Sequence, residues 1–283
     1  MPSFKPQRKR CPFFTIKPMP TDTPTLPIFR LHRGTAPLLI SLPHDGSDIP
    51  DVIAARMTPE ARRAPDTDWH VSRLYAFARE LGASMLMPRC SRYVIDLNRP
   101  PDDVSLYPGQ NTTGLCPIVR FSGDPVYLPG LEPTPNEIAA RIDTYWRPYH
   151  HALRDELDRL RAAHSRVLLW EGHSIRGECP FLFEGRLPDL NIGTATCASC
   201  TPERQARIET ALHAQSDYDS VVNGRFKGGY ITRYYGDPVN GIDAVQLEIA
   251  QRIYMDEDTF EYDDALAANA QRVIRALIVA ALG

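Results

Sequence analysis

The segment RVLLWEGHSI, residues 166–175, joins an apolar run to chemically active side chains: Val167 to Trp170 are followed by Glu171, His173 and Ser174, with Gly172 among them. The run APLLISLP, 36–43, likewise leads into a histidine, His44. Neutral imidazole binds divalent metals, and a catalytic zinc site takes three protein ligands and keeps a position for water. Histidines after two separate apolar strands therefore point to two ligands of one metal. A third is offered by DTDW, through Asp66 or Asp68 ahead of a helical pattern, or by Glu171. Each also has an ordinary structural use: a strand-end histidine can bond a loop carbonyl, and an aspartate before a helix can cap it.

Two further clusters carry charge. SRYVIDLNRP sets Arg92, Asp96, Asn98 and Arg99 around an apolar stretch. A guanidinium fork beside an amide suits a carboxylate ligand; the alternative is an internal Arg–Asp pair that fixes the loop. NGRFKGGYITRYYGDP, 223–238, mixes glycines with Arg225, Lys227, Arg233 and three tyrosines. It reads either as a flexible basic loop that clamps an anion or as a mobile surface hairpin.

The elements that must position these groups alternate between strand and helix. Apolar runs at 36–43 and 166–170 read as strands, 83–90 and 91–97 as extended segments, and 218–224 as a short strand. Val71, Leu74, Tyr75, Ala78 and Leu81 recur at helical spacing, which predicts a helix over 66–82. Residues 136–164 read as a long helix bent or interrupted at Pro148. Thr201 and Pro202 open another, and the stretch from 263 to 282 closes the chain as a helix. AVQLEIAQRIYM, 244–255, is ambiguous between strand and helix, and 98–134 and 179–200 read as long loops. This alternation predicts an α/β domain with a largely parallel sheet and helices on both faces. No GxGxxG or P-loop pattern supports a nucleotide site.

With 283 residues, 43% hydrophobic and 24% charged, the chain can bury a large core. A net charge of −3 lacks the basic surplus of a nucleic-acid binder. No run approaches the roughly 18 consecutive apolar residues of a membrane span. The basic N-terminus is broken by prolines rather than followed by an apolar core, so a secretory signal is not expected and a cytoplasmic location is. Residues 1–30 read as an irregular Pro-rich arm and 31–283 as a single domain. The six cysteines are expected as reduced thiols, and the lone C-x-x-C at Cys197 and Cys200 lacks the second pair of a zinc site.

Taken together, SLPHDGSDIP, DTDWHVSRLY, SRYVIDLNRPP, LYPGQNTTGLCP, EGHSIRGECPFLFEGRLPDLNIGT, NGRFKGGYITRYYG and AVQLEIAQRIYM closely resemble the N-formylglutamate amidohydrolase (deformylase) family of histidine degradation. The resemblance implies a fold similar to the zinc carboxypeptidases, a three-layer α/β/α sandwich with a mixed, largely parallel central sheet. It also implies an order of site residues: His44, Asn98 and Arg99, His173, then Glu248. Ser47 stands where the carboxypeptidase pattern has a ligand Glu, so the carboxylate ligand is expected from Asp68. The implied cofactor is one divalent metal ion, zinc, held by His44, Asp68 and His173. Glu248 is the implied general base, with Glu171 orienting a ligand. Arg92 or Arg99, with Asn98, would bind one carboxylate of a small dianionic substrate; Arg225, Arg233 and Tyr230 would bind the other. A zinc amidohydrolase for another N-acyl amino acid, or a non-catalytic dicarboxylate binder, are the rival readings.

Overall fold

The computed structural model describes residues 27–106 and 108–283. Residues 1–26 of the expected N-terminal arm lie outside the described residues, and Phe29 and Arg30 already belong to the first strand.

Seven strands form one mixed sheet: β1 (Phe29–His32), β2 (Leu38–Ser41), β3 (Ser84–Pro88), β4 (Val167–Ile175), β5 (Leu190–Gly193), β6 (Ser220–Val222) and β7 (Ile242–Ala250), in the order β1-β3-β2-β4-β7-β5-β6. The central strands β3, β2, β4 and β7 are mutually parallel. β2, β4 and β7 are buried throughout, which is why β2 and the first half of β4 read as apolar runs. β1 is antiparallel to β3, and β5 antiparallel to β7 but parallel to β6.

The helices are α1 (Asp51–Ala54), α2 (Val71–Leu74), α3 (Pro135–Arg141), α4 (Arg147–Ala163), α5 (Pro202–His213), α6 (Tyr230–Tyr235) and α7 (Asp264–Leu282). One sheet face buries Leu168, Trp170, Val245 and Leu247 against Leu74, Ile208 and Ile274 of α2, α5 and α7. The other buries Leu39, Leu169 and Ala244 against Leu153 and Leu157 of α4 and Ile231 of α6. The result is the expected three-layer sandwich. Asp263 caps α7 by accepting from Ala265 N and Leu266 N. Over 18 residues α7 has a mean hydropathy of 1.4, enough in length and composition for a membrane span. Its stripe Ala267, Ala270, Val273, Ile274, Leu277, Ile278 and Ala281 is packed against the sheet instead, as in a core helix.

Several elements differ from the sequence pattern. The helix expected over 66–82 is two short turns, α2 and a 3-10 turn at Ala76–Arg79, because His70 takes φ 63° and starts the chain afresh. Val71, Leu74, Tyr75 and Ala78 still face the core, so the periodicity reports burial correctly without one continuous helix. Residues 91–97 form turns rather than a strand. The interruption in 136–164 is a π turn at Ile142–Trp146, just before Pro148, whose missing N–H and ring clash forbid regular helix there. β5 lies within the loop expected over 179–200, and 244–255 is mostly strand.

The most consequential difference is the length of β4. It runs on to Ile175 and pairs with β7 over nine residues, Glu171 opposite Gln246 and His173 opposite Glu248. Along the face that carries Leu169 and Ala244, the next outward positions are therefore Glu171, His173, Gln246 and Glu248. The apolar core of that face turns polar at the carboxyl end of the central strands, where open α/β sheets bind ligands.

Candidate active site

A cleft of about 700 Å³, open to solvent, lies over that strand end and is lined by His44, Asp68, His173 and Glu248 among others. His44 follows β2, and Asp68 sits in the turn before α2; Asp68 N donates to His44 O at 3.1 Å and ties the two loops together. The ligand atoms of His44, Asp68 and His173 all lie within 4.8 Å of one another, and all three residues are buried.

Both imidazoles are oriented the same way. His44 Nε2 lies 2.7 Å from Asp96 Oδ1, and His173 Nε2 lies 2.8 Å from Glu171 Oε1. A carboxylate accepts, so each Nε2 is a protonated nitrogen, His173 Nε2 having Asn98 Nδ2 as a further neighbour at 3.0 Å, and both rings turn Nδ1 toward Asp68. His173 Nδ1 is 3.0 Å and His44 Nδ1 3.8 Å from Asp68 Oδ2. His44 Nδ1 is buried and has no hydrogen-bond partner among the described residues. An orphaned ring nitrogen beside a second one and a carboxylate is a donor set that fits a divalent metal, with each histidine backed by an acid.

The electrostatics agree. Burial lowers the His44 pKa, with Arg92 nearby adding to the effect, so a neutral imidazole is favoured. Burial acts the same way on His173, but Glu171 and Asp68 outweigh it and raise its pKa well above the usual value. Despite burial, His44 and Arg92 hold the Asp96 carboxyl well below the carboxylate range, and Asp68 is lowered chiefly by His173. The two acids hold the His173 ring in its cationic form, and a metal held by His44, Asp68 and His173 would displace the Nδ1 proton. Burial pushes the Glu248 carboxyl up to about 8.

The other site residues expected from the sequence divide. Asn98, Arg99 and Arg225 line the cleft. The Arg99 guanidinium pairs with no hydrogen-bond acceptor among the described residues, although Trp146 Nε1 fixes its carbonyl at 2.9 Å. Arg92 also lines the cleft, but its Nη2 is held at 2.7 Å by Asp96, the internal pair that the sequence allowed as an alternative. Arg225 donates to Asn111 O and Leu182 O.

Tyr230 and Arg233 are not among the cleft-lining residues. Tyr230 begins α6 and stacks on Tyr234 and against Trp146 and His150, while Arg233 Nε donates to Gly228 O. The glycine-rich segment leads into α6, which starts at Tyr230 after Gly229. Of the alternative ligands, Asp66 accepts from Phe121 N and Glu171 lies behind His173, so neither joins the metal group.

The first turn of α6 has a different use. Gly229 N donates to Gln246 Oε1 (2.7 Å), Ile231 N to Asn98 Oδ1 (2.9 Å) and Thr232 N to Glu171 Oε2 (3.0 Å). Helix-start donors without intrahelical partners thus orient three site side chains. Gly229 is required by space: a Cβ there would fall 2.2 Å from Asn98 Nδ2. Gln246 was missed from the sequence although its place two residues before Glu248 on one strand signalled it. Asp96 was read as an arginine partner alone, and its hold on His44 has no local signal.

The fold is a mixed α/β/α sandwich with a buried imidazole–carboxylate site and an adjacent buried acid at the carboxyl ends of its central strands. The sequence model of the N-formylglutamate amidohydrolase family matches residues 36–255, and the chain belongs to that family. It is 49% identical over 256 residues to N-formylglutamate deformylase of Pseudomonas putida, covering 90% of this chain and 96% of that one. The Pseudomonas aeruginosa N-formylglutamate deformylase is also 49% identical, over 89% and 94% of the two chains. The crystal structure of N-formylglutamate amidohydrolase from Ralstonia eutropha JMP134 superposes with a TM-score of 0.75 at 26% identity, covering 89% of this chain and 96% of that one.

Proposed function

We propose that the protein hydrolyses the formamide of N-formyl-L-glutamate to formate and L-glutamate, with one divalent metal, zinc, held by His44, Asp68 and His173. The observation that carries this reading is the convergence of those three donors in the cleft that also holds Glu248, Arg99 and Arg225. The names of the curated relatives support the substrate.

A metal bound there supplies Lewis-acid polarisation of the formyl carbonyl and acidifies a water. Asp96 and Glu171 keep the Nδ1 lone pairs of the two histidines aimed into the cleft. With a cation in the site to keep it ionised despite burial, Glu248 would take a proton from the attacking water and pass it to the departing amide nitrogen. Carbon–nitrogen cleavage then leaves formate and a free amino group. Arg99, aided by the Asn98 amide, binds one substrate carboxylate and Arg225 the other, so that a dianion is held at both ends. Reduced Cys90, Cys116, Cys179, Cys197 and Cys200 fit a cytoplasmic enzyme.

The test is metal content measured alongside formate release, on N-formylglutamate, N-formylaspartate and N-acetylglutamate. One tightly bound zinc and highest kcat/KM on N-formylglutamate are expected. A preference for either analogue overturns the substrate; activity without any divalent metal overturns the metal role.

A further inference from the structure

Asp68 is held differently from the two histidine ligands. They sit on or just after strands, whereas Asp68 lies in an irregular turn that runs into His70 at φ 63°. A side chain with a Cβ is disfavoured in the left-handed region, so the turn needs support from outside.

That support comes from the 3-10 turn at Gln251–Ile253 that follows β7, and from Tyr254 at its end. Gln251 Nε2 donates to Thr67 O at 3.0 Å, and the Tyr254 hydroxyl donates to Trp69 O at 2.8 Å, so the residues on both sides of Asp68 are pinned through their carbonyls. Ser174 lies between these anchors. Its Oγ is 2.7 Å from Tyr254 Oη and 3.4 Å from Gln251 Nε2, and its backbone N–H donates to Asp68 Oδ2 at 3.1 Å. The proton inventory fixes the direction of the chain. Trp69 O can only accept, so Tyr254 gives its proton there. Ser174 then donates to Tyr254, and the Gln251 amide donates to Ser174. Ser174, Gln251 and Tyr254 are all buried. Gln251 and Tyr254 do not line the cleft, so their influence on it passes through the turn they hold.

We propose that Gln251 and Tyr254, acting through Ser174, are positioning residues that set the Asp68 carboxylate opposite the two Nδ1 atoms. This rests on reading His44, Asp68 and His173 as the metal site. The network joins β4, the turn after β7 and the ligand turn, three segments far apart in the chain.

The experiment measures the zinc dissociation constant of the full chain by competition with a chromophoric chelator, for wild type, Tyr254→Phe and Gln251→Ala. Tyr149→Phe is the control, because its buried hydroxyl bonds Ser41 at 3.0 Å, outside the network. Expected is a weakening of about 10–100-fold in Tyr254→Phe and in the same direction in Gln251→Ala, as for other residues that orient metal ligands. Tyr149→Phe is expected to lower the melting temperature but keep wild-type zinc affinity. KM for N-formylglutamate at saturating zinc should stay unchanged in all three. Tyr254→Phe with wild-type affinity and a lowered melting temperature overturns the proposal, and Gln251→Ala supplies the same readout if Tyr254→Phe does not fold. Wild-type protein that takes up no divalent metal overturns the metal-site reading and this proposal with it.

Discussion

Two buried regions of this protein are built on histidine, and they use it in opposite ways. In the cleft, His44 and His173 each set Nε2 against a carboxylate, Asp96 or Glu171, and leave Nδ1 facing other ligand atoms. Behind the cleft, His150 of α4 satisfies both nitrogens with neutral partners, the Tyr235 hydroxyl and Leu97 O, each at 2.9 Å. Its ring stacks on Trp146 with centroids 3.7 Å apart. Burial lowers the His150 pKa to about 3, whereas the acids around His173 raise that of the buried cleft histidine. All three histidines are buried, so burial alone does not make a ligand. The partner does: a carboxylate on one nitrogen raises the basicity of the other, and a missing partner leaves it available. The two regions are nevertheless joined. His150 and Trp146 bond the carbonyls of Leu97 and Arg99, so the aromatic core holds the segment that carries Asn98 and Arg99.

The contrast is broken most severely by removing a ligand from the cleft. Asp68→Ala should lose the metal and reduce formate release by on the order of 10⁴-fold, read by metal analysis beside kcat/KM. Glu248→Gln should lower kcat by about 10³-fold while the protein still binds one metal; unchanged kcat would remove Glu248 from the chemistry. The carboxylates behind the rings come next. Asp96→Asn and Glu171→Gln should each weaken metal affinity by about 10–100-fold, with kcat largely restored at saturating metal.

The smallest effect on chemistry is expected on the other side of the comparison. His150→Leu should keep full metal content and cost about 1–3 kcal/mol of stability, from two partners left unsatisfied. It should also change the pH dependence. The unfolded chain takes up a proton near 6.5, while the folded one refuses it until about 3. Wild-type stability from this group is complete above the first value and falls toward the second, by about 1.4 kcal/mol per pH unit. Urea titrations across that window should show the slope in wild type, reduced by that amount in the variant. An equal slope in both would place the titrating group elsewhere.

Much of this arrangement was legible before any coordinates. His44 and His173 follow apolar strands in the sequence, whereas Glu248 lay in a stretch ambiguous between strand and helix, and the two-residue alternation of a strand is set by local backbone geometry. Leu169, Glu171 and His173 share a face because β4 runs on to Ile175 beside β7, an extension that the apolar run to Trp170 did not show. Motif blocks and the alternation of strands with helices likewise pointed to the α/β sandwich.

Other assignments depended on distant contacts. Asp66 and Asp68 are equivalent in local pattern, yet Phe121 N takes one and His173 faces the other. Arg92 and Arg99 flank one apolar stretch, yet Asp96 engages the first. The glycine-rich segment looked like an anion clamp, yet its backbone donors at the start of α6 bond Gln246, Asn98 and Glu171. The sequence by itself determined which side chains stand on each strand face, because that periodicity belongs to the backbone. The tertiary structure alone decided which acid meets which base, because loops far apart in the chain must first be packed together.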